Sequence, residues 1–368
     1  MKLKNPPQLA VVVCMFFFIA SCRNKDYKFP KAPEQVFLTE ENMPPVEYFT
    51  LEKVEIPEDA QTSRWLYLHA DTLLFTVQNK APNPFLLSVY NLMTNELVAG
   101  YFIKGRGPGE LVSVHCIFRN DEIFVNDVTQ KVAVLNIDSI ARLLYEYKPT
   151  IISTDWYTEY TRYVNDTLIG INDFHFYGFG YEQLPEFVKV SCLNGEIPKE
   201  CFPEKMKGTG PMNINMRISY FNEYTKQYVV AWRSFPYLSV YDENFNLQKQ
   251  YIGPDNYMPN LVEYNDDGVF FNIDSVRTRF YLDGCQTENY IFFINDRICG
   301  ENYSSKPKNA EIYCFDKSLN LVRRLKQKDL QTKYLLLPSY CEKTGNLYFQ
   351  VFDEDSGGYL LYKCVFEK

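Results

Sequence analysis

A pair of short apolar elements recurs six times in this chain, and that recurrence limits the folds open to it more than any other feature. The first element is a turn followed by three or four apolar residues. It occurs as Asp71-Thr72-Leu73-Leu74-Phe75, Asp121-Glu122-Ile123-Phe124-Val125 and Asp166-Thr167-Leu168-Ile169, then as Lys226-Gln227-Tyr228-Val229-Val230, Asn289-Tyr290-Ile291-Phe292-Phe293 and Gly345-Asn346-Leu347-Tyr348-Phe349. The second element ends a strand and enters a turn, as in Leu87-Ser88-Val89-Tyr90-Asn91, Leu238-Ser239-Val240-Tyr241-Asp242 and Ile312-Tyr313-Cys314-Phe315-Asp316. The two alternate over about 300 residues with a mean period of about 54. Four-stranded propeller blades repeat at roughly 40–50 residues. The spacing predicts an all-β chain: a six-bladed β-propeller of four-stranded antiparallel blades over residues 46–368. A pair of β-sandwiches is the alternative architecture. The rhythm loosens over Glu196–Asn215 and Gly253–Tyr281, which read as loop insertions, and the strand pattern at Val46–Val54 is placed to complete the last blade.

Composition agrees with strands. Phe, Tyr and Trp supply 16% of the residues, and aromatic enrichment without long helix-forming runs favours sheet. The formal net charge is −8. Nucleic-acid binding rests on Lys and Arg neutralising phosphates, so this balance argues against it.

The first 45 residues follow different rules. Lys2 and Lys4 precede an unbroken apolar run, Val11–Ala20, and then Ile19-Ala20-Ser21 leads into Cys22. A run of about ten residues is too short for a membrane-spanning helix, which needs roughly twenty. A basic start, an apolar stretch and a small-residue cut site form a secretory signal. With a cysteine at the cut, residues 1–21 resemble a bacterial lipoprotein signal, which implies acylation at Cys22. Several acyl chains anchor stably where one is marginal. The expected location is the cell envelope, at the outer membrane, since no Asp follows Cys22. Residues 22–45 are polar and aperiodic and read as a flexible tether.

Eight cysteines lie beyond Cys22. Cys192–Cys201 and Cys285–Cys299 are pairs that an exported protein could oxidise. The bland alternative, favoured here, is eight buried thiols behaving as small hydrophobes. No cofactor is implied.

Lys104-Gly105-Arg106-Gly107-Pro108-Gly109-Glu110 is the sharpest local motif. It lacks the Gly-Lys-Ser/Thr ending of a phosphate loop, and a strand rather than a helix follows it. It reads as a strained crossover between blades one and two, held by its three glycines. The run Ser88-Val89-Tyr90-Asn91, a strand to Phe102, this Gly-rich stretch and the downstream Ile123-Phe124-Val125-Asn126-Asp127 together resemble the TolB-like six-bladed propeller lipoproteins, common in Gram-negative gut anaerobes. The resemblance implies a six-bladed propeller in the cell envelope and supplies no catalytic residues.

Candidate ligand-binding residues are Arg106, Asp127, Asp173, His175 and Asp296. Asn126-Asp127, Asn172-Asp173 and Asn295-Asp296 each close a second strand, so their oxygens would share a face with Arg106 and could hold a hard cation. The competing reading is turn chemistry, which Asn and Asp favour on their own. Arg106 is expected to pair with a carboxylate inside the fold. His175 lies in an aromatic, Gly-spaced run, 173–181, suited to stacking on a sugar or clasping a peptide, or to covering the blade beneath. No Gly-x-Ser-x-Gly elbow occurs. The leading functional reading is a lipid-anchored binding module whose propeller face takes a peptide, protein or glycan. The alternative is a hydrolase of lactonase or glycan-cleaving type with a metal in the central channel.

Substituting Cys22→Ala is expected to leave the precursor unprocessed or to release protein from membranes. Mass spectrometry of the wild-type mature N-terminus checks this, and an unacylated terminus would refute it.

Overall fold

The structure, a computed structural model, describes residues 31–63, 65–78, 84–119, 122–129, 131–153, 160–164, 167–171, 187–191, 217–232, 235–243, 246–254, 261–263, 270–272, 279–298, 310–328, 335–353 and 357–367. Strands β1 (Glu34–Phe37) and β2 (Val46–Val54) precede the first blade. Blade one is β3 (Trp65–His69), β4 (Leu73–Val77), β5 (Phe85–Asn91) and β6 (Glu96–Ile103), paired in that order. Blade two is β7 (Val114–Arg119), β8 (Glu122–Asp127), β9 (Lys131–Asn136) and β10 (Ile151–Ser153), with a short helix, α1 (Ile137–Leu143), between the last two. Blade three shows β11 (Tyr160–Val164), β12 (Thr167–Ile171) and β13 (Phe187–Ser191).

Blade four is β14 (Arg217–Asn222), β15 (Gln227–Trp232), β16 (Tyr237–Tyr241) and β17 (Leu247–Ile252). A hairpin of β18 (Leu261–Glu263) and β19 (Phe270–Asn272) follows, inside the second expected insertion. Blade five is β20 (Arg279–Gln286), β21 (Tyr290–Ile298), β22 (Glu311–Asp316) and β23 (Leu321–Gln327). Blade six is β24 (Leu335–Cys341), β25 (Asn346–Asp353), β26 (Gly358–Phe366) and, as its outer strand, β2. The fold is six-bladed and propeller-like, and chain from the N-terminal side closes the ring, as the pattern at Val46–Val54 predicts.

The recurrent apolar runs follow from this packing. A second strand sits in the middle of its blade, and both its faces meet a neighbouring blade, so consecutive residues are all buried instead of alternating. In β4, Leu74 packs with Tyr348 and Leu361 of blade six. Its neighbour Phe75 packs with Cys116, Phe118, Ile123 and Val125 of blade two. Blades four and five share a core of Tyr220, Tyr251, Phe293 and Phe315, and Phe292, Cys314, Phe349 and Cys364 join blades five and six.

Strand β2 is divided between two sheets. Val46 to Phe49 run parallel to β23, and Phe49 to Val54 run antiparallel to β26. The eight-stranded sheet that results fuses blades five and six. Phe49, fully buried, sits at the changeover; it stacks on Phe349 at 6.2 Å and meets the edge of Phe366.

The described part of the expected tether, residues 31–45, is not free chain, and this corrects the sequence reading. β1 lies parallel on β17, which makes blade four five-stranded. Two of the segment's carboxylates, though solvent-exposed, form ion pairs to distant strands. Glu34 lies 2.9 Å from Lys249. Glu40 takes both Arg324 amino groups at 2.5 and 2.9 Å, while Arg324 also holds the buried Glu311 at 2.6 and 3.0 Å. Glu47 chelates Arg323 at 2.9 and 2.7 Å. Cys22 and the rest of the leader lie outside the described residues.

Side chains at the turns between first and second strands latch blade four to five, five to six and six to one. Asn222 donates to the Lys317 carbonyl at 2.8 Å. The Asn289 backbone and side chain donate to the Glu342 carboxylate at 2.7 and 2.5 Å. Thr344 and Asn346 donate to Asp71 at 2.6 and 2.9 Å, carrying the sequence across the ring closure.

The innermost strand of blade five departs from regularity. β20 shifts register twice, between Arg279 and Tyr281 and between Tyr281 and Asp283, and it approaches β7 of the opposite blade. Extra residues of this kind bend a strand locally.

Cys285 is a free, buried thiol, so the Cys285–Cys299 disulfide weighed above is not formed. It faces Phe292 across the strand pair, and Phe292 faces Cys314 on the next strand, so the ring-bearing strand stands between the two thiols. Burial pushes the Cys314 thiol up to about 12, which keeps it protonated and inert. Cys192–Cys201 lies outside the described residues.

The Glu342 latch gives a pH signature. Burial, the largest influence, works to raise its carboxyl, but hydrogen bonds from Thr287 and Asn289 and the nearby Lys317 charge outweigh it and hold the group below 4.5. A depressed carboxyl contributes stability that is present above its unfolded value and lost as pH falls through the folded one. The stability gap between wild type and Glu342→Ala should therefore be full at neutral pH and shrink below pH 4.5. Urea titrations at pH 7 and in acid check this; a gap independent of pH would count against it.

Candidate binding loop between blades one and two

The chain leaves β6 through Phe102, whose φ of +59° is unusual for a bulky residue. Phe102 is buried against the core of blades one and two, and that packing holds the strained backbone. Sequence reasoning placed the strain on the glycines, and in part this is corrected. Only Gly109 has a positive φ, +78°. Gly105 and Gly107 serve close approach instead. A Cβ on Gly105 would lie 2.0 Å from Glu110 Oε2, and one on Gly107 would lie 3.0 Å from it. Glu110 folds back over the loop, and its Oε2 accepts the Gly107 amide at 2.8 Å.

The rest of the loop is equally self-contained. Gly105 N donates to Leu111 O at 2.8 Å, and Leu111 N returns to Ile103 O at 3.2 Å. Lys131, from β9, donates its ammonium to the Gly107 and Glu110 carbonyls at 3.2 and 2.8 Å. Asp127, at the end of β8 and 1% exposed, accepts the Val112 and Ser113 amides on Oδ1 at 2.7 and 2.8 Å. Its Oδ2 accepts the Thr129 amide at 3.0 Å and the Thr129 hydroxyl.

Arg106 meets no carboxylate among the described residues. It is exposed, and it forms no ion pair among the described residues. The expectation that Arg106 pairs within the fold is overturned for a plain reason. Two acids that brace this loop are already committed, Glu110 to the Gly107 amide and Asp127 to the Val112, Ser113 and Thr129 amides. Exposed Ile103 and Val128 flank the loop.

The remaining sequence candidates divide. Asp127 is a structural anchor for the crossover, with its oxygens turned inward. Asn295 is fully buried within β21, opposite Tyr281 and Glu311, so the Asn295-Asp296 pair lies inside a strand instead of closing one. The side chains of Asp173, His175 and Asp296 lie outside the described residues. Among the described residues no three His, Cys, Asp or Glu side chains converge as a metal site. Sequence reasoning missed Glu110 and Lys131 as the loop's clasps. The signal available was a carboxylate directly after a Gly-x-Gly-x-Gly run, where only glycine leaves room for it.

The description of one family model, TolB-like 6-blade propeller-like, matches residues 68–332. A predicted exported protein of Bacteroides fragilis has a solved structure with a TM-score of 0.53, at 13% identity over 91% of this chain and 99% of its own. A DUF4221 family member from Bacteroides vulgatus gives 0.50, at 12% identity over 88% and 99%. At these identities the two show the fold. No curated protein matches the sequence.

Asp127→Ala would orphan three backbone amides and is expected to destabilise the fold by several kcal/mol, at about 1–3 kcal/mol per unsatisfied buried group. Chemical denaturation measures this. A loss under about 1 kcal/mol would contradict the anchoring role.

Proposed function

Because the chain belongs to the TolB-like 6-blade propeller-like family, we propose that it is an exported, lipid-anchored binding module. In this reading the Gly105–Gly109 loop presents Arg106 to a peptide, protein or glycan partner. The observation that carries it is the exposed guanidinium on a loop that is already fully braced without it. A rigid loop loses little entropy on binding, and a guanidinium offers two parallel donors to a carboxylate. Asp173, His175 and Asp296 remain candidate contacts on the same reading, with no role assigned to each. Export is supported by the leader ahead of Cys22 and by the description of the Bacteroides fragilis relative as a predicted exported protein. The acyl groups at Cys22 would hold the module at the outer membrane.

Arg106→Ala separates a contact residue from a structural one. Its thermal midpoint should match the parent, while capture of envelope components by the immobilised protein should fall relative to the parent. A lowered midpoint or unchanged capture would overturn the assignment.

A further inference from the structure

The N-terminal segment determines where an anchored molecule meets its membrane. Residues 34–54 are fixed along the outer strands of blades four, five and six by β1, β2 and three carboxylate–cation contacts. Nine peptide links separate Cys22 from Lys31. An extended chain spans at most about 3.3–3.6 Å per residue, so this leash reaches about 30 Å. Strands of five to nine residues give blades of comparable height, at roughly 3.3 Å per residue. β1 begins beside Lys249 and runs parallel to β17, so the leash leaves the body at the outer edge of blade four, on the side of the β16–β17 turn, and its reach lets the outer wall of blade four lie near the lipid.

The same wall carries exposed apolar side chains: Phe37 on β1, Tyr48 on β2 and Val365 on β26 are 51%, 47% and 41% exposed. Register puts Tyr48 and Val365 on one face of the sheet, since Thr50 lies opposite Val365 and strand residues two apart share a face. Lys363 lies opposite Glu52 on that same face, and Lys326, 3.6 Å from Glu311, lies opposite Tyr48. A tyrosine ring with a lysine beside it suits the headgroup region of a bilayer, where tyrosine rings concentrate and lysines reach phosphates.

We propose that the outer wall of blades four to six, with Tyr48 and Val365 at its centre, rests against the lipid surface. The ring then stands edge-on, and both of its ends, including the Arg106 loop, open sideways into the surrounding compartment. This rests on the lipid-anchor reading above and adds an orientation to it.

The test uses acylated protein purified from membranes and reconstituted into phosphatidylethanolamine/phosphatidylglycerol vesicles. An environment-sensitive fluorophore is attached through Tyr48→Cys or Val365→Cys on the wall, and through Met93→Cys or Arg106→Cys at the two ends, with labelled parent protein as background. Probes at 48 and 365 should show blue-shifted emission and loss of intensity with headgroup-proximal spin-labelled lipid, while those at 93 and 106 keep aqueous emission. Quenching at 93 or 106 as strong as at 48 overturns the orientation, as does absence of quenching at 48 and 365 in protein that floats with the vesicles. Protein that fails to float at all overturns the anchor reading instead.

Discussion

An unpaired strand edge is the problem this architecture has to solve, and the pairing of β2 with β26 is where it is solved. Every blade leaves an outer strand with open hydrogen-bonding groups, and every blade needs a neighbour on each side to bury its apolar faces. An open row of six blades would end on two bare apolar surfaces. With Phe49 driven between Phe349 and Phe366, and Asp71 receiving Thr344 and Asn346, the last blade gains the strand it lacks and the first gains the neighbour it lacks. The cores between successive blades then form a continuous series instead of a stack with ends.

The crossover loop shows how such a ring can carry a fixed surface feature. Its geometry is imposed from below by Lys131 and Asp127, and from within by Glu110, all acting on backbone groups. Side chains that do not touch the backbone are left without a structural duty. Arg106 and its apolar flanks can vary without disturbing the turn that presents them, which is the property a scaffold needs if recognition is to change while the fold persists.

Much of the fold was legible in the sequence because its signals are local and repeated. The elements around Leu73–Phe75 and Phe292–Phe293 are unbroken apolar runs, and only a strand covered on both faces produces them at this length. The closing role of Val46–Val54 was also visible, as a strand pattern ahead of the first blade. Residues 31–45 were misread because their partners, β17 for the backbone and Lys249 and Arg324 for Glu34 and Glu40, lie more than two hundred residues away. The site was legible as a motif but not as a mechanism. Glycine spacing announced a close approach at the loop, yet whether the approaching group was Arg106, a ligand or Glu110 depended on which carboxylates the neighbouring strand had already claimed.

The division of β2 between β23 and β26 also bears on how the molecule comes into being. The strand that seals the ring is among the first parts of the folded body to be synthesised, and its antiparallel partner is among the last. Blades one to four can form from contacts within each hairpin pair, but the seal must wait for the far end of the chain. Contacts between such distant segments are slow to form. A chain emerging from a membrane conduit would thus remain an open arc on the far side until its last strand emerged. Its commitment to a closed, durable shape would fall after the crossing.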